Sequence, residues 1–431
     1  MTTLIQGALA LAKGYYHPTL PLKAFLRPIT DVDIPRVNHT ISIVKGRAYI
    51  FGGKSEGKDG VETVAENDVQ VVILPSSGVE NSDYKRIAPS DKAPPKRYGH
   101  CAGTIGDAMF IFGGSGETDE EPLDEAGRVW MLDTTTERWT SLEPAATSKR
   151  PEPRIHPASE ATEYPQPIQR RTDEGLAPQL DVDPVDIVPE PPMDGSYGTL
   201  IIYGGKGKGG QILNDIWSFD LATRRWVELP EHPPPITEAP SMAMIEKRIY
   251  VFSGGQVSYI DLTLTPHPDG SEPDKIGLTP LGPWSSLPPP SISPGLEYPA
   301  DRTGAILMPV TTGQGRNYLA LFGGLSKSGE TLQDIWALQL KAEEHTSASL
   351  KDVVKRRMST DNLEEQWREV KYYDSEGALI QERHGGIGIG IRRGLAAARG
   401  TEVDGAAVVV WGGVGVNDQI RGDGIMITVD R

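Results

Sequence analysis

Five arginines recur in short segments of similar sequence, and their side chains could bind an anion. The segments read PRVNHT, KRYGHC, PRIHPA, DRTGAI and ERHGGI, and their arginines are Arg36, Arg97, Arg154, Arg302 and Arg383. A guanidinium group carries five N–H donors in a planar fork that fits carboxylate and phosphate groups. If the segments are equivalent units of a ring, the arginines surround one opening and attract an acidic peptide or another anionic ligand.

Polar neighbours of these arginines belong to the same candidate site, and they are Asn38, Tyr98, His156 and His384. The competing interpretation is structural: each guanidinium holds a nearby loop through backbone carbonyl or carboxylate groups. The sequence leaves both roles open.

Four of the eight histidines follow these arginines, a pattern that raises the question of metal binding or acid–base catalysis. His39 and His100 lie three residues after their arginine, His156 lies two after and His384 one after. Because alternate residues of a strand point to opposite faces, the four do not form one consistent ring. We expect them to hydrogen-bond neighbouring repeats, and we predict no metal site.

Sequence signatures of known catalytic machinery are missing from the chain. There is no serine nucleophile elbow, no CxxC pair and no HExxH motif. The run GKGKGG at 205–210 lacks the spacing of a phosphate-binding loop, so we interpret it as a turn. We predict no cofactor and favour a function without catalysis.

An apolar run that ends in two glycines is the most frequent repeated feature. Its copies are YIFGG (49–53), FIFGG (110–114), IIYGG (201–205), VFSGG (251–255), LALFGG (319–324) and VVVWGG (408–413). A continuous apolar run indicates a strand that is buried on both faces. The glycine pair lets the backbone leave that strand at angles that other residues avoid, and it leaves room for a neighbouring unit.

Each copy has similar sequence around it. An arginine segment precedes every copy except the fourth, which has Ser241 in PSMAMI, and a further apolar strand follows. An aromatic residue then closes most units: Tyr84, Trp139, Trp226, Trp284 and Trp367. Four short strands per unit, separated by turns, are typical of a blade of a β-propeller.

This arrangement of arginine, Gly-Gly, aromatic and tryptophan resembles the kelch repeat over residues 30–431. The resemblance implies an all-β fold, a six-bladed kelch-type β-propeller with four-stranded blades. The blades are expected at 30–88, 95–143, 152–230, 240–288, 300–370 and 381–431. In the kelch family, arginines near this point commonly line the ligand-binding face, which the resemblance implies here.

The last unit ends at GIMITVDR without a tryptophan strand, so another segment must complete it. The candidate is LPLKAFLRP (20–28), which follows an extension at 1–19 and precedes the first repeat. Closure by this strand removes an exposed sheet edge. Two insertions lengthen the repeats: an acidic, proline-rich segment at 158–196 that we expect to be disordered, and one at 341–365 that we expect to be helical.

Composition argues against several classes of partner and compartment. The net charge of −16 argues against a nucleic acid partner. The single cysteine, Cys101, excludes an internal disulfide framework and fits a reducing compartment. The apolar stretch at 4–12 is short and has no basic residue before it, so we expect a cytoplasmic protein without a membrane span.

Two functions of different class follow from the resemblance to stand-alone kelch propellers of fungal type. One is an interaction or scaffold protein that binds an acidic peptide or anionic ligand at the mouth of the propeller. The alternative is a small-molecule enzyme of fungal specialised metabolism, of isomerase or cyclase type, with the same mouth as its active site. Only about twenty residues precede the closing strand, which is too few for the BTB or F-box domains of kelch adaptors. We favour the interaction protein because no acid–base pair is evident.

One modification site is predicted as well. In KRRMST (355–360), Arg356 and Arg357 precede Ser359 at the spacing that basophilic kinases favour. The motif lies in the insertion at 341–365, outside the repeats, where we expect it to be exposed.

Overall fold

A computed structural model describes residues 20–430 of the chain, apart from eleven internal segments. The undescribed residues are 1–19, 58–59, 76–81, 117–120, 167–195, 267–275, 288–297, 313–315, 342–364, 375, 381–388, 401–406 and 431. They include three residues of the candidate sites, Arg383, His384 and Ser359, and most of both predicted insertions.

Six antiparallel sheets of four main strands form the blades of a β-propeller, as the sequence predicts. From the inner to the outer strand, blade 1 comprises Thr40–Val44, Arg47–Phe51, Val69–Ile73 and Asp83–Ile87, and blade 2 comprises Cys101–Ile105, Ala108–Phe112, Val129–Asp133 and Arg138–Leu142. Blade 3 comprises Ala158–Thr162, Thr199–Lys206, Ile212–Asp220 and Arg225–Leu229, and blade 4 comprises Ser241–Ile245, Arg248–Ser253, Gln256–Pro266 and Ile276–Pro280. Blade 5 comprises Ile306–Thr312, Arg316–Phe322, Ile335–Gln339 and Trp367–Glu369, and blade 6 comprises Ala396–Arg399, Ala407–Trp411, Gly424–Asp430 and Lys23–Ile29.

Short elements join these blades. Additional strands are Lys54–Glu56, Glu62–Val64, Ser285–Ser286, Arg302–Thr303, Leu325–Ser326 and Lys371–Tyr373, and 3-10 turns lie at Lys208–Gly210 and Val416–Asp418. The turn at Lys208–Gly210 lies within the GKGKGG run, which is therefore a turn as expected. Among the described residues, no helix is long and apolar enough to cross a membrane.

The N-terminal strand closes the ring, as predicted, although it begins and ends slightly later than the sequence indicated. Lys23–Ile29 lies antiparallel to Gly424–Asp430 and pairs with it over its whole length, from Lys23 opposite Asp430 to Ile29 opposite Gly424. On its other side it pairs in parallel with Lys371–Tyr373. The outer strand of the last blade is therefore formed by the N-terminal end of the described chain.

Among the described residues, six large apolar clusters each lie between two neighbouring blades, and Val37, Val414 and Ile420 form a small seventh. The second strand of a blade contributes to the clusters on both of its sides: Tyr49 and Phe51 pack towards blade 2, whereas Ile50 packs towards blade 6. This double burial explains why those strands are apolar at every position. Neighbouring inner strands also contact one another around the central channel.

The start of the predicted insertion at 158–196 was wrong. Ala158–Thr162 is the inner strand of blade 3 and pairs with Thr199–Lys206. Its sequence, ASEAT, lacks large apolar residues, and its residues from Ala158 to Ala161 line the central channel. The remainder of that insertion at 167–195 lies outside the described residues.

Candidate functional site

The recurring arginines are buried and hold the glycine pairs in place. Arg97 is 0% exposed and donates from Nη1 to the carbonyl oxygen of Gly113, the first glycine of its own blade, over 2.9 Å. Its guanidinium also makes a two-pronged ion pair with Glu125, with distances of 2.7 and 2.9 Å. Arg154 binds Gly204 and Asp215 in the same way, and Arg302 binds Gly323 and Asp334.

The prediction that these three arginines line a ligand-binding mouth is therefore wrong. Each guanidinium donates to two backbone carbonyls and one carboxylate, and burial excludes it from contact with a ligand. The structural interpretation, in which each arginine holds a nearby loop, is correct for Arg97, Arg154 and Arg302.

The backbone of the same residues joins one blade to the next. The amide of Gly114 donates to the carbonyl oxygen of Arg154 over 2.9 Å. Gly113 has φ of +71°, and a Cβ added there would lie 2.7 Å from that same oxygen. Only glycine fits this close approach between blades without strain.

In blade 6 the buried arginine is Arg392, whereas the sequence prediction had placed it at Arg383. Arg392 is 2% exposed and donates to the carbonyl oxygen of Gly412 over 3.1 Å and to Asp423 over 2.6 Å. Arg383 and His384 themselves lie outside the described residues.

Arg36, the first arginine of the series, differs from the others. The carboxylate at the equivalent place, Asp68, is bound by Arg86 and by Gln70. Arg36 is half-buried and donates to the carbonyl oxygen of Pro35 over 2.9 Å. Burial lowers the pKa of its guanidinium, and the charge of Asp68 opposes that shift.

Buried histidines lie in the seams between blades. His100 is 5% exposed, and its Nε2 lies 2.8 Å from the hydroxyl of Thr40 in the preceding blade. Both ring nitrogens of His39, also 5% exposed, lack a hydrogen-bond partner among the described residues. Burial lowers the pKa of His39 to about 3 and that of His100 well below its usual value, so both are neutral at pH 7. The described residues contain no group of three or more His, Cys, Asp or Glu side chains placed to hold a metal ion.

One end of the channel opens into a cavity of about 480 Å³, which we call the mouth cavity. All six blades contribute to it through the residues just before their inner strands. Of the candidate site residues, Asn38, Tyr98 and His156 line it.

Asn38 and His156 reach this position through an unusual backbone conformation. Both lie two residues after their arginine and have φ of +54°, in the left-handed region. The equivalent position is glycine in blades 2, 5 and 6. Asparagine and histidine tolerate this conformation better than most residues, and here they add polar side chains to the mouth cavity.

Cationic side chains do line the mouth cavity, but they are different from those predicted. Lys54 and Lys206 each follow a glycine pair directly, and Arg393 follows the buried Arg392. The Nζ of Lys54 lies 4.0 Å from the centre of the Tyr98 ring, and Arg393 donates to Asp418 over 2.8 Å. One acidic residue, Glu238, shares the lining with them.

Deeper in the ring, the six inner strands enclose a second cavity of about 310 Å³, which we call the channel cavity. It shares His39, His100 and Pro240 with the mouth cavity, so the two are continuous. Glu160 of blade 3 and Arg399 of blade 6 line it. Burial raises the pKa of the Glu160 carboxyl to about 7, against the opposing charge of Arg399.

Family comparisons agree with this architecture. The model described as "KLHDC2/KLHL20/DRC7 Kelch-repeats domain" matches residues 25–163, and the model described as "Kelch motif" matches residues 195–233. The chain is a kelch-repeat β-propeller.

Relatives of this kelch propeller are similar over part of their length. An F-box/kelch-repeat protein of Arabidopsis thaliana is 22% identical over 240 residues, which are 52% of this chain and 40% of that protein. Kelch domain-containing protein 3 of Bos taurus is 31% identical over 109 residues, or 25% of this chain and 27% of that protein. The chain thus spans less than half the length of these curated relatives. Among solved structures it is similar to YjhT, with a TM-score of 0.49 and 12% identity over 94% of this chain and 99% of that one.

The sequence prediction missed the cations at the mouth of the kelch propeller, because they do not lie at the repeated arginine positions. A signal was present for the lysines: two of the six glycine pairs are followed by Lys, as GGK at 52–54 and 204–206. For Arg393 the sequence gives no such signal, because it shows two adjacent arginines in RRG without indicating which one is buried. In the structure Arg392 is buried and Arg393 is exposed.

Proposed function

We propose that this kelch propeller is a protein-interaction module that binds an acidic segment of a partner at the mouth cavity. Kelch propellers are generally scaffolds for protein interaction. The observation that carries the proposal is the placement of three cations, Lys54, Lys206 and Arg393, around one cavity in a protein of net charge −16. The cations outnumber the one acidic residue of the lining, Glu238, and a concave site with an excess of one charge draws in the opposite charge.

Other residues of the mouth cavity suit a peptide. Tyr98 offers an aromatic face, and its ring is already in contact with Lys54. Asn38, before blade 1, and His156, before blade 3, supply hydrogen-bonding groups at two places of the same opening. The backbone around them is held by hydrogen bonds between blades, from Asn38 to Gly394 over 2.8 Å and from His156 to Gly99 over 2.6 Å. A rim held in this way is preorganised, which reduces the entropy lost on binding.

Charge reversal of both lysines tests the proposal. Fluorescence anisotropy would measure the affinity of three labelled peptides of equal length, one rich in Asp and Glu, one neutral and one rich in Lys. We expect the acidic peptide to bind best to the wild type, and more weakly as salt rises. Lys54→Glu with Lys206→Glu should lower its affinity by about tenfold or more and flatten the salt dependence.

The matched control carries the same change in charge elsewhere. Lys92→Glu with Lys371→Glu reverses two exposed lysines outside the mouth cavity. This variant should bind the acidic peptide like the wild type. Equal loss of affinity in both double variants would show a general effect of net charge and would contradict a site at the mouth.

A further inference from the structure

The channel cavity contains two opposite charges on opposite sides of the ring. Glu160 lies on the inner strand of blade 3 and Arg399 on that of blade 6, and blades 3 and 6 face each other in a ring of six. Both side chains line the same cavity of about 310 Å³. This volume is at the lower end of the range for small-molecule sites.

Neither charge forms a salt bridge among the described residues. Glu160 and Arg399 make none with each other or with another described side chain, although the charge of Arg399 still acts on Glu160. The charge of Arg399 and the backbone N–H of Met244 stabilise the carboxylate of Glu160. Burial opposes its ionised form, so the carboxylate would gain from a cation placed beside it.

The rest of the wall leaves room for a ligand. Ala102, Gly103 and Ala397 are among the small residues that line it, and Thr40 and Ser159 add hydroxyl groups. His39, 5% exposed and without a hydrogen-bond partner among the described residues, lies where the channel cavity meets the mouth cavity. An unpartnered, buried imidazole at this junction is a further polar group that a ligand could satisfy.

We propose that the channel cavity binds a small zwitterion, an amino carboxylate whose ammonium group pairs with Glu160 and whose carboxylate pairs with Arg399. A lone cation would leave Arg399 unpaired, and a lone anion would leave Glu160 unpaired. A molecule that carries both charges satisfies both ends of the site, and each charge-assisted hydrogen bond is stronger than a neutral one. A zwitterion also has no net charge, so the acidic protein does not repel it.

The zwitterion site lies deeper in the channel than the proposed peptide site, and its two charged residues, Glu160 and Arg399, do not line the mouth cavity. The mouth cavity would be occupied by a protein segment that contacts Lys54 and Lys206, whereas the channel cavity would be occupied by a small molecule. The variant Lys54→Glu with Lys206→Glu is therefore expected to keep zwitterion binding. The two proposals can fail independently.

Calorimetry with a series of straight-chain amino carboxylates tests this inference. The probes are glycine, β-alanine, 4-aminobutyrate and 6-aminohexanoate, compared with butylamine and butyrate, which each carry one of the two charges. At least one amino carboxylate should bind more tightly than both single-charge compounds. Glu160→Gln and Arg399→Gln should each weaken that binding by about tenfold or more.

Two controls remove a similar charge outside the channel cavity. Glu163→Gln changes an exposed carboxylate three residues after Glu160, and Arg47→Gln changes an exposed guanidinium in blade 1. Both variants should bind the zwitterion like the wild type. The proposal is overturned if none of the four amino carboxylates binds, if butylamine or butyrate binds as tightly, or if Glu160→Gln and Arg399→Gln bind unchanged.

A measurement on the wild type covers the case in which a variant fails to fold. Near pH 7 part of the Glu160 population is protonated, and an ammonium group beside it favours the carboxylate. Zwitterion binding should therefore release a fraction of a proton, which calorimetry in two buffers of different ionisation enthalpy detects. Binding without proton release would overturn the assignment of the ammonium group to Glu160.

Discussion

At the scale of single residues, one buried arginine in each of blades 2 and 3 does two structural tasks. Its side chain fixes the glycine pair of its own blade, and its backbone carbonyl accepts from the glycine pair of the preceding blade. Arg154 does both, through Gly204 and Gly114. The position and type of such a structural residue repeat along the sequence. A ligand-binding residue of a symmetric ring would repeat in the same way, so repetition alone does not distinguish the two roles.

Removal of the Arg154 side chain should destabilise the fold. Arg154→Met removes the cation that pairs with Asp215. The carboxylate then keeps the hydrogen bond from the indole N–H of Trp217, at 2.6 Å. We expect the free energy of unfolding to fall by about 3–5 kcal/mol, because a carboxylate is left unpaired in a largely buried place. Urea denaturation followed by tryptophan fluorescence measures this change.

The matched control for that experiment is Arg47→Met, which changes an exposed arginine. Its free energy of unfolding should stay within about 0.5 kcal/mol of the wild type. If Arg154→Met were as stable as this control, the buried ion pair would not be a structural support of blade 3.

At the scale of elements, the closing strand joins the two ends of the described chain in one sheet. Lys23–Ile29 fills the outer position of blade 6, where a tryptophan strand would otherwise lie. Its apolar residues Ala24 and Leu26 are buried in the cluster between blades 5 and 6. The strand therefore supplies both hydrogen bonds and apolar contacts to the last blade.

Deletion of residues 1–30 should lower the melting temperature strongly or prevent folding, because it exposes the edge of Gly424–Asp430 and opens the cluster between blades 5 and 6. Deletion of residues 1–18, which removes no described contact, is the control. A synthetic peptide of residues 19–31 added to the larger deletion should restore part of the stability. Differential scanning fluorimetry with all three samples tests this, and equal melting temperatures for both deletions would contradict closure.

The sequence predicted the second strands and the closing strand well because strong local signals mark them. A strand buried on both faces is apolar throughout, and the glycines after it are required by backbone conformation. Inner strands such as Ala158–Thr162 have no such signal, since they face the channel and tolerate small polar residues. The sequence also did not distinguish Arg392 from Arg383, because both are followed by glycine two positions later. The structure shows Arg392 buried, whereas Arg383 lies outside the described residues.

The candidate site was predicted in part. Asn38, Tyr98 and His156 lie at the mouth cavity because repeat symmetry brings their segments to one end of the ring. Whether a guanidinium faces solvent depends on a carboxylate distant in sequence, such as Glu125 for Arg97 or Asp215 for Arg154. The fold determines which carboxylate pairs with each arginine, so the local sequence around the arginine does not predict whether its guanidinium is buried.

At the scale of the whole molecule, stability resides in the seams between blades. Each of the six large apolar clusters lies between two blades, so no blade buries its apolar surfaces alone. Trp226 shows how one side chain fills a seam: it is 3% exposed, lies 5.1 Å from the ring of Phe112 in blade 2, and donates its N–H to Gly127 over 2.8 Å. Because the seams form a closed ring, the blades should unfold together.

The repeat offers a matched pair of aromatic residues to test this. Trp226→Ala should destabilise the protein by about 3–5 kcal/mol and keep a single unfolding transition. Tyr84 occupies the corresponding place in blade 1 but is 46% exposed, so Tyr84→Ala should cost much less. Scanning calorimetry measures both, and two separate transitions in Trp226→Ala would show that blades unfold independently.

Closure by Lys23–Ile29 also has a consequence for synthesis on the ribosome. The strand is made before the six repeats, and its antiparallel partner Gly424–Asp430 is made about four hundred residues later. At translation rates of about 5–20 residues per second, the early strand waits for tens of seconds without its main partner. During that interval the growing ring is open on one side and exposes sheet edges that other nascent chains could pair with. Chaperones that cover extended apolar segments would be needed most at this time, and a slow final closing step should follow release of the chain.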